Sequence, residues 1–171
     1  VRENDPDRII VTGDSIARPS AWHNRNEGRW AQDSKAQGTE RFLADTPDCY
    51  EVASFHLYAE AEKSYFEKKD LPIEDFVKEV VGISRSDNKV IWCGELGMPG
   101  TDEASRKMFF RMMNSIEENE IAISAIWNFK PTGKFQADWD ISPSNERAYM
   151  LDAVKALNER FAIGLSEDAA K

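Results

Sequence analysis

A glutamate flanked by glycines, Gly94-Glu95-Leu96-Gly97, closes the apolar run Val90-Ile91-Trp92-Cys93. Burying an unpaired carboxylate is costly, so a strand core has no use for one at its tip. The bland alternative is a surface Glu at a turn that Gly94 and Gly97 supply. The other is a carboxylate held at the mouth of a parallel sheet, where enzymes built on such sheets keep their chemistry. Recurrence favours the second. Arg8–Thr12 leads into Gly13-Asp14-Ser15, Tyr50–Phe55 into His56-Leu57-Tyr58, and Ile121–Ile126 into Trp127-Asn128. Asp14, His56, Glu95 and Trp127 thus stand at the ends of four strand-like runs.

Short runs rich in Ile and Val, bounded by turn residues, predict buried parallel strands. A helical pattern follows each. The first spans about Asp33 to Asp45, with Phe42 and Leu43 apolar. The second, Ile73 to Ser86, carries Phe76, Val77, Val80, Val81 and Ile83 at three- and four-residue spacing. The third, Asp102 to Asn119, carries Met108, Phe109, Met112, Met113 and Ile116, with Thr101 expected as N-cap and Asp102 and Glu103 in the first turn. The last runs from Ser144 to Ala162. These stripes predict packing on a sheet. The order βαβαβαβα predicts a parallel α/β architecture. The four tip residues are 42, 39 and 32 positions apart. A (β/α)8 barrel spends about 250 residues on eight units, or roughly 31 per unit. The 171 residues therefore predict half of a (β/α)8 TIM barrel: four βα units in one unit spanning 1–171, with a frayed tail over 166–171.

With those motifs in order, the chain resembles the C-terminal half of a clan A glycoside hydrolase, closest to the family-five cellulase and mannanase type, from about Asp5 to Phe161. The four runs resemble the fifth to eighth barrel strands of that family, with a His-x-Tyr pair at His56 and Tyr58, a Gly-Glu-Phe-Gly-like motif at Gly94–Gly97, and a sugar-stacking Trp at Trp127. The resemblance implies a retaining glycosidase, in which two carboxyl groups about 5 Å apart act as nucleophile and acid/base. It implies Glu95 as nucleophile, with His56 and Tyr58 hydrogen-bonding around it and the sugar. Trp127, with Asn128 beside it, would form the floor of the subsite. Trp22, His23 and Asn24 would be loop contacts to substrate, and Asp14 a further substrate-binding residue. It also implies a secreted or periplasmic setting. The family's acid/base lies in an Asn-Glu motif ending the fourth strand, and no strand here ends so. Asn26-Glu27 is the local look-alike, without a preceding apolar run; Glu60 and Glu62 are substitutes that read better as a solvated loop.

The net charge of −9 disfavours nucleic acid and anionic membranes as partners, both of which need a basic face. It is neutral toward uncharged polysaccharide or oligosaccharide. No apolar run of 18 residues predicts a membrane span, and neither a cofactor nor a metal is implied. Cys93, two residues before Glu95, is expected on the same strand face, pointing into the barrel. Cys49 and Cys93 are expected to be small buried thiols, with a disulfide between them as the alternative. Four units leave two bare sheet edges and an uncovered face, which also carries Ser54, Ile91 and Ile123. The expected cover is the N-terminal half of the barrel or a second copy of the chain, and a fragment of a longer protein is expected ahead of a self-paired half barrel. Three functions compete. One is a glycoside hydrolase half that bears the nucleophile. Another is a non-catalytic carbohydrate-binding or scaffold half barrel. The third is a phosphate-binding isomerase or aldolase barrel, against which Glu95 among the glycines stands.

Overall fold

The computed structural model describes residues 3–59, 65–66, 70–129 and 138–168. Its elements, in chain order, are α1 (Ala21–Glu27), α2 (Lys35–Ala44), β1 (Val52–Leu57), α3 (Ile73–Ser86), β2 (Val90–Leu96), α4 (Glu103–Glu118), β3 (Ile123–Ile126) and α5 (Ala148–Asp168). The strands form one parallel sheet in the order β1-β2-β3. Helices α3 and α4 make the two crossovers that parallel neighbours require. The α/β half-barrel architecture expected from the alternation is present.

Of the four expected strands, the first does not form. Residues 8–12 contribute a single parallel bridge, Val11 to Val52. Ile9 is 70% exposed, and the Ile10 N–H donates to the Glu51 carboxylate at 3.2 Å rather than to a strand. This segment lies at the sheet edge. It is apolar enough to be a strand, but among the described residues no strand pairs with its far side. Gly13, with φ +72°, then turns the chain in a conformation that favours glycine.

The core lies between the sheet and its helices. Ala53, Phe55 and Leu57 of β1 and Ile91, Cys93 and Leu96 of β2 point toward the helical layer and are buried. They meet the stripe of α3, in which Ile73, Phe76, Val77 and Val80 are fully buried, and that of α4, in which Phe109, Met112 and Ile116 are. Phe76 is the hub, with ring centroids 6.3 Å from Phe55, 5.1 Å from Tyr65 and 6.5 Å from Phe66. On the outer surface Arg111 of α4 grips Glu74 of α3 through two hydrogen bonds of 2.8 Å. That grip holds the Glu74 carboxyl below its ordinary range. Arg160 of α5 grips Glu117 of α4 in the same way.

Several local expectations are corrected. The N-cap of α4 is Asp102, whose carboxylate accepts from Ser105 N at 2.8 Å, and not Thr101. A carboxylate one residue later fits the helix dipole better than a hydroxyl does. Helix α5 spans Ala148–Asp168 and begins later than the expected Ser144. Cys49 is exposed and Cys93 buried, both as free thiols. Cys93 stands level with Phe55, whereas Cys49 precedes the opposite end of β1, so no disulfide joins them. Among the described residues no helix is long and apolar enough to cross a membrane.

Candidate active site

Cys93 and Glu95 do not share a face. Pairing runs Phe55 with Cys93 and then His56 with Glu95, so Gly94 is an extra residue in β2. The same slip separates Cys93 from Leu96 against β3. Such a bulge reverses the alternation beyond it. Cys93 and Ile91 face the helices, contrary to expectation, while Glu95 swings to the opposite face beside His56. Without the bulge Glu95 would enter the apolar core that holds Cys93. A Cβ at Gly94 would lie 3.2 Å from Ser54 Oγ and 3.3 Å from His56 Nε2, so a side chain at the bulge would press on the two polar groups beside it. From the core side the Cys93 thiol donates to the Glu95 carbonyl at 3.3 Å, and burial pushes that thiol far above its usual range.

The sheet ladder continues past the strand ends. Gly97 N donates to Leu57 O at 3.3 Å and Trp127 N to Leu96 O at 2.8 Å. Tyr58, Glu95 and Trp127 are thereby brought level at the carboxyl rim. There the Tyr58 hydroxyl donates to Glu95 Oε2 at 2.5 Å, and His56 Nδ1 lies 3.1 Å from the same oxygen. The side chains of His56 and Glu95 are 18% and 27% exposed, so the carboxylate is sheltered yet reachable. Both contacts fall on Oε2, which leaves Oε1 without a hydrogen-bond partner among the described residues. A carboxylate with one oxygen pinned and the other open can attack a carbon or exchange a proton.

Trp127 and Asn128 are half-buried beside this cluster, joined by a cis peptide bond. Gly97 admits them: a Cβ there would lie 2.6 Å from Trp127 O, a backbone atom. Gly97→Ala is expected to destabilise by about 1–3 kcal/mol through overpacking at the rim. Gly82→Ala is the internal contrast. Its Cβ would meet nothing within 4 Å on the exposed side of α3, and it is expected to stabilise by about 0.5–1 kcal/mol. Thermal melts of the two variants check the pair.

The remaining predicted residues lie elsewhere. Trp22, His23 and Asn24 sit in helix α1, not in a loop. His23 is buried, with Nδ1 2.7 Å from Asp33 Oδ1. Asp33 also accepts from Trp22 N at 2.8 Å and His23 N at 3.1 Å. Asp33 thus caps α1 from a distant segment, and His23 completes that clamp. Asp14 is exposed, and its N–H donates to Thr12 Oγ1 at 3.4 Å. Its charge is felt at Asp45, whose carboxyl is raised chiefly by burial. Glu27 ends α1, exposed and ion-paired to Arg29 at 2.5 Å, which gives it no strand-tip position. Glu60 and Glu62 lie outside the described residues.

Two tryptophans were not foreseen. Trp92 pairs with Ser54 on the face of Glu95, and both its Nε1 and Ser54 Oγ are buried without a hydrogen-bond partner among the described residues. Trp139 packs edge-to-face on Tyr58, with centroids 5.4 Å apart at 87°. An aromatic residue between two acids in a loop, Asp138-Trp139-Asp140, was the available signal for it.

No protein-family model and no curated protein matches the chain. Solved structures do. The endo-1,4-beta-mannanase from Rhizomucor miehei superposes with a TM-score of 0.54 at 14% identity, covering 92% of this chain and 43% of that one. The endo-beta-1,4-mannanase from Thermotoga petrophila gives 0.55 at 12% identity, covering 92% and 37%. The hyperthermostable endo-1,4-beta-D-mannanase from Thermotoga petrophila RKU-1, solved with maltose and glycerol, gives 0.56 at 11%, covering 91% and 48%. The chain thus shares part of the TIM-barrel fold of these mannanases and spans less than half the length of each.

Proposed function

We propose that the chain carries the nucleophile of a retaining β-glycanase of the family-five cellulase and mannanase type. The observation that supports this reading above all is the convergence of Tyr58 Oη and His56 Nδ1 on one oxygen of Glu95 at the carboxyl rim of the sheet. Glu95 Oε1 attacks the anomeric carbon, and the glycosidic C–O bond breaks with its electron pair leaving on the oxygen. A glycosyl ester forms, which water then hydrolyses. Tyr58 and His56 fix the carboxylate so that the attack costs little reorientation. Trp127 offers its ring to the apolar face of a pyranose, and Asn128 a polar edge. The carboxyl group that protonates the leaving oxygen comes from the polypeptide that completes the barrel. The activity of the structural neighbours makes a 1,4-linked β-mannan the first substrate to try, with 1,4-linked β-glucan next.

A second reading is a half barrel that binds carbohydrate without cleaving it. The placement of Glu27 on α1 favours it, because the one local Asn-Glu look-alike is removed as an acid. One experiment separates the two: 2,4-dinitrophenyl β-mannoside and β-cellobioside, whose leaving group needs no proton donor, are incubated with the protein and followed by proton NMR. Cleavage with a β anomer formed first supports the retaining reading. A first-formed α anomer contradicts it, and binding without cleavage establishes the second reading.

A further inference from the structure

We infer that Trp139 is a positioning residue for Glu95, acting through Tyr58. Its indole stands edge-to-face against the Tyr58 ring at 5.4 Å, and the Tyr58 hydroxyl holds Glu95 Oε2 at 2.5 Å. Tyr58 also meets the ring of His56, at the greater centroid distance of 6.4 Å. Among the described rings Trp139 is therefore the nearer wall that fixes where the phenol can stand. A phenol free to swing about its χ angles would lose a hydrogen bond this short.

The chain delivers Trp139 to this spot by a fixed return. Asn128 N donates to Trp139 O at 3.3 Å, and Ile141 N donates to Asn128 O at 2.9 Å. Ile141 is fully buried and anchors the return in the core. The Asn145 side chain closes it, donating to Asp140 O at 2.7 Å and accepting from Arg147 N at 3.0 Å. The indole then lies over Gly97, its Cζ3 3.4 Å from where a Cβ would stand. The same glycine that admits Trp127 makes room for Trp139. The aromatic edge contact contributes about 0.5–1.5 kcal/mol beyond burial, enough to bias one phenol position over its alternatives.

The catalytic consequence rests on Glu95 being a nucleophile; the contact between Tyr58 and Glu95 does not. The test accordingly reads both. The ring-carbon resonance of Tyr58, assigned by Tyr58→Phe, is recorded with and without Glu95→Gln in three backgrounds: wild type, Trp139→Ala and Trp139→Phe. We expect Glu95→Gln to shift it in the wild type, to leave it unmoved in Trp139→Ala, and to shift it again in Trp139→Phe, where an aromatic wall is kept. In parallel the rate of covalent labelling by an activated 2-fluoroglycoside is measured. Trp139→Ala is expected to slow labelling about 10- to 100-fold with little change in the half-saturating concentration. Added to Tyr58→Phe, it is expected to cause no further slowing, since the two act as one unit. An unchanged Tyr58 response in a folded Trp139→Ala variant overturns the inference, as do additive losses or a Trp139→Phe as slow as Trp139→Ala. Loss of the NMR response together with an unlabelled wild type leaves the positioning role standing and removes the glycosidase reading alone.

Discussion

In the completed barrel, Glu95→Gln is expected to lower glycoside cleavage by at least about 10⁴-fold while oligosaccharide binding changes little. The amide has the size of the carboxylate, and its oxygen still accepts from the Tyr58 hydroxyl, so the rim keeps its shape. What it loses is the negative charge and the electron pair that closes on the anomeric carbon as positive charge develops there. A loss confined to kcat marks a group needed only in the transition state. Cleavage rates and tryptophan-fluorescence titrations with the same oligosaccharide check the two halves of this expectation. Undiminished cleavage by Glu95→Gln would remove Glu95 from the chemistry.

The largest expected effect on stability is that of Phe76→Ala, about 3–5 kcal/mol. Phe76 is fully buried and touches Phe55, Tyr65 and Phe66, so its removal opens a cavity between α3 and β1 that several large, rigid rings cannot refill. Domains are stable by only about 5–15 kcal/mol. For a chain of this size the loss corresponds to a fall in melting temperature of about 6–20 °C. Calorimetry beside Glu74→Ala supplies the contrast. The partners in that pair, Glu74 and Arg111, are 42% and 34% exposed, and such surface pairs contribute about 1 kcal/mol or less. The Glu74 carboxyl is held low in the folded state. Its contribution is therefore present above the ordinary carboxylate range and disappears as acid protonates it.

Periodicity and the polar strand tips were legible in the sequence. Alternating apolar runs and helical stripes announced the parallel sheet, and the boundaries of α3 emerged residue for residue because Pro72 and Asn88 punctuate it sharply. His56, Tyr58 and Glu95, which lie together at the rim, stood out because polar groups at the tips of apolar runs conflict with burial. The bulge was not legible. Gly94 reads as a turn residue, and only pairing with both neighbours shows that it reverses the face of everything after it. The run 8–12 misled for a related reason, since apolar composition says nothing about whether both sides of a strand find partners. His23 carried the residue type of a ligand-binding group, yet its nearest polar neighbour, Asp33, is ten positions away and turned it into a helix clamp. Trp139 lay in a loop without periodicity, and its importance arises only when the chain returns to Asn128.

Attack of Glu95 on an anomeric carbon is the step on which the proposed function rests. It can be tested without the proton donor, because a 2,4-dinitrophenolate leaves unprotonated and so needs no general acid. The protein is incubated with 2,4-dinitrophenyl 2-deoxy-2-fluoro-β-glycosides of mannose and cellobiose. Intact mass and peptide mapping then locate any adduct. The account predicts one fluoroglycosyl group per chain, esterified to Glu95, with none on Glu95→Gln. An adduct on another carboxylate, or a chain left unmodified while it demonstrably binds the sugar, would contradict it.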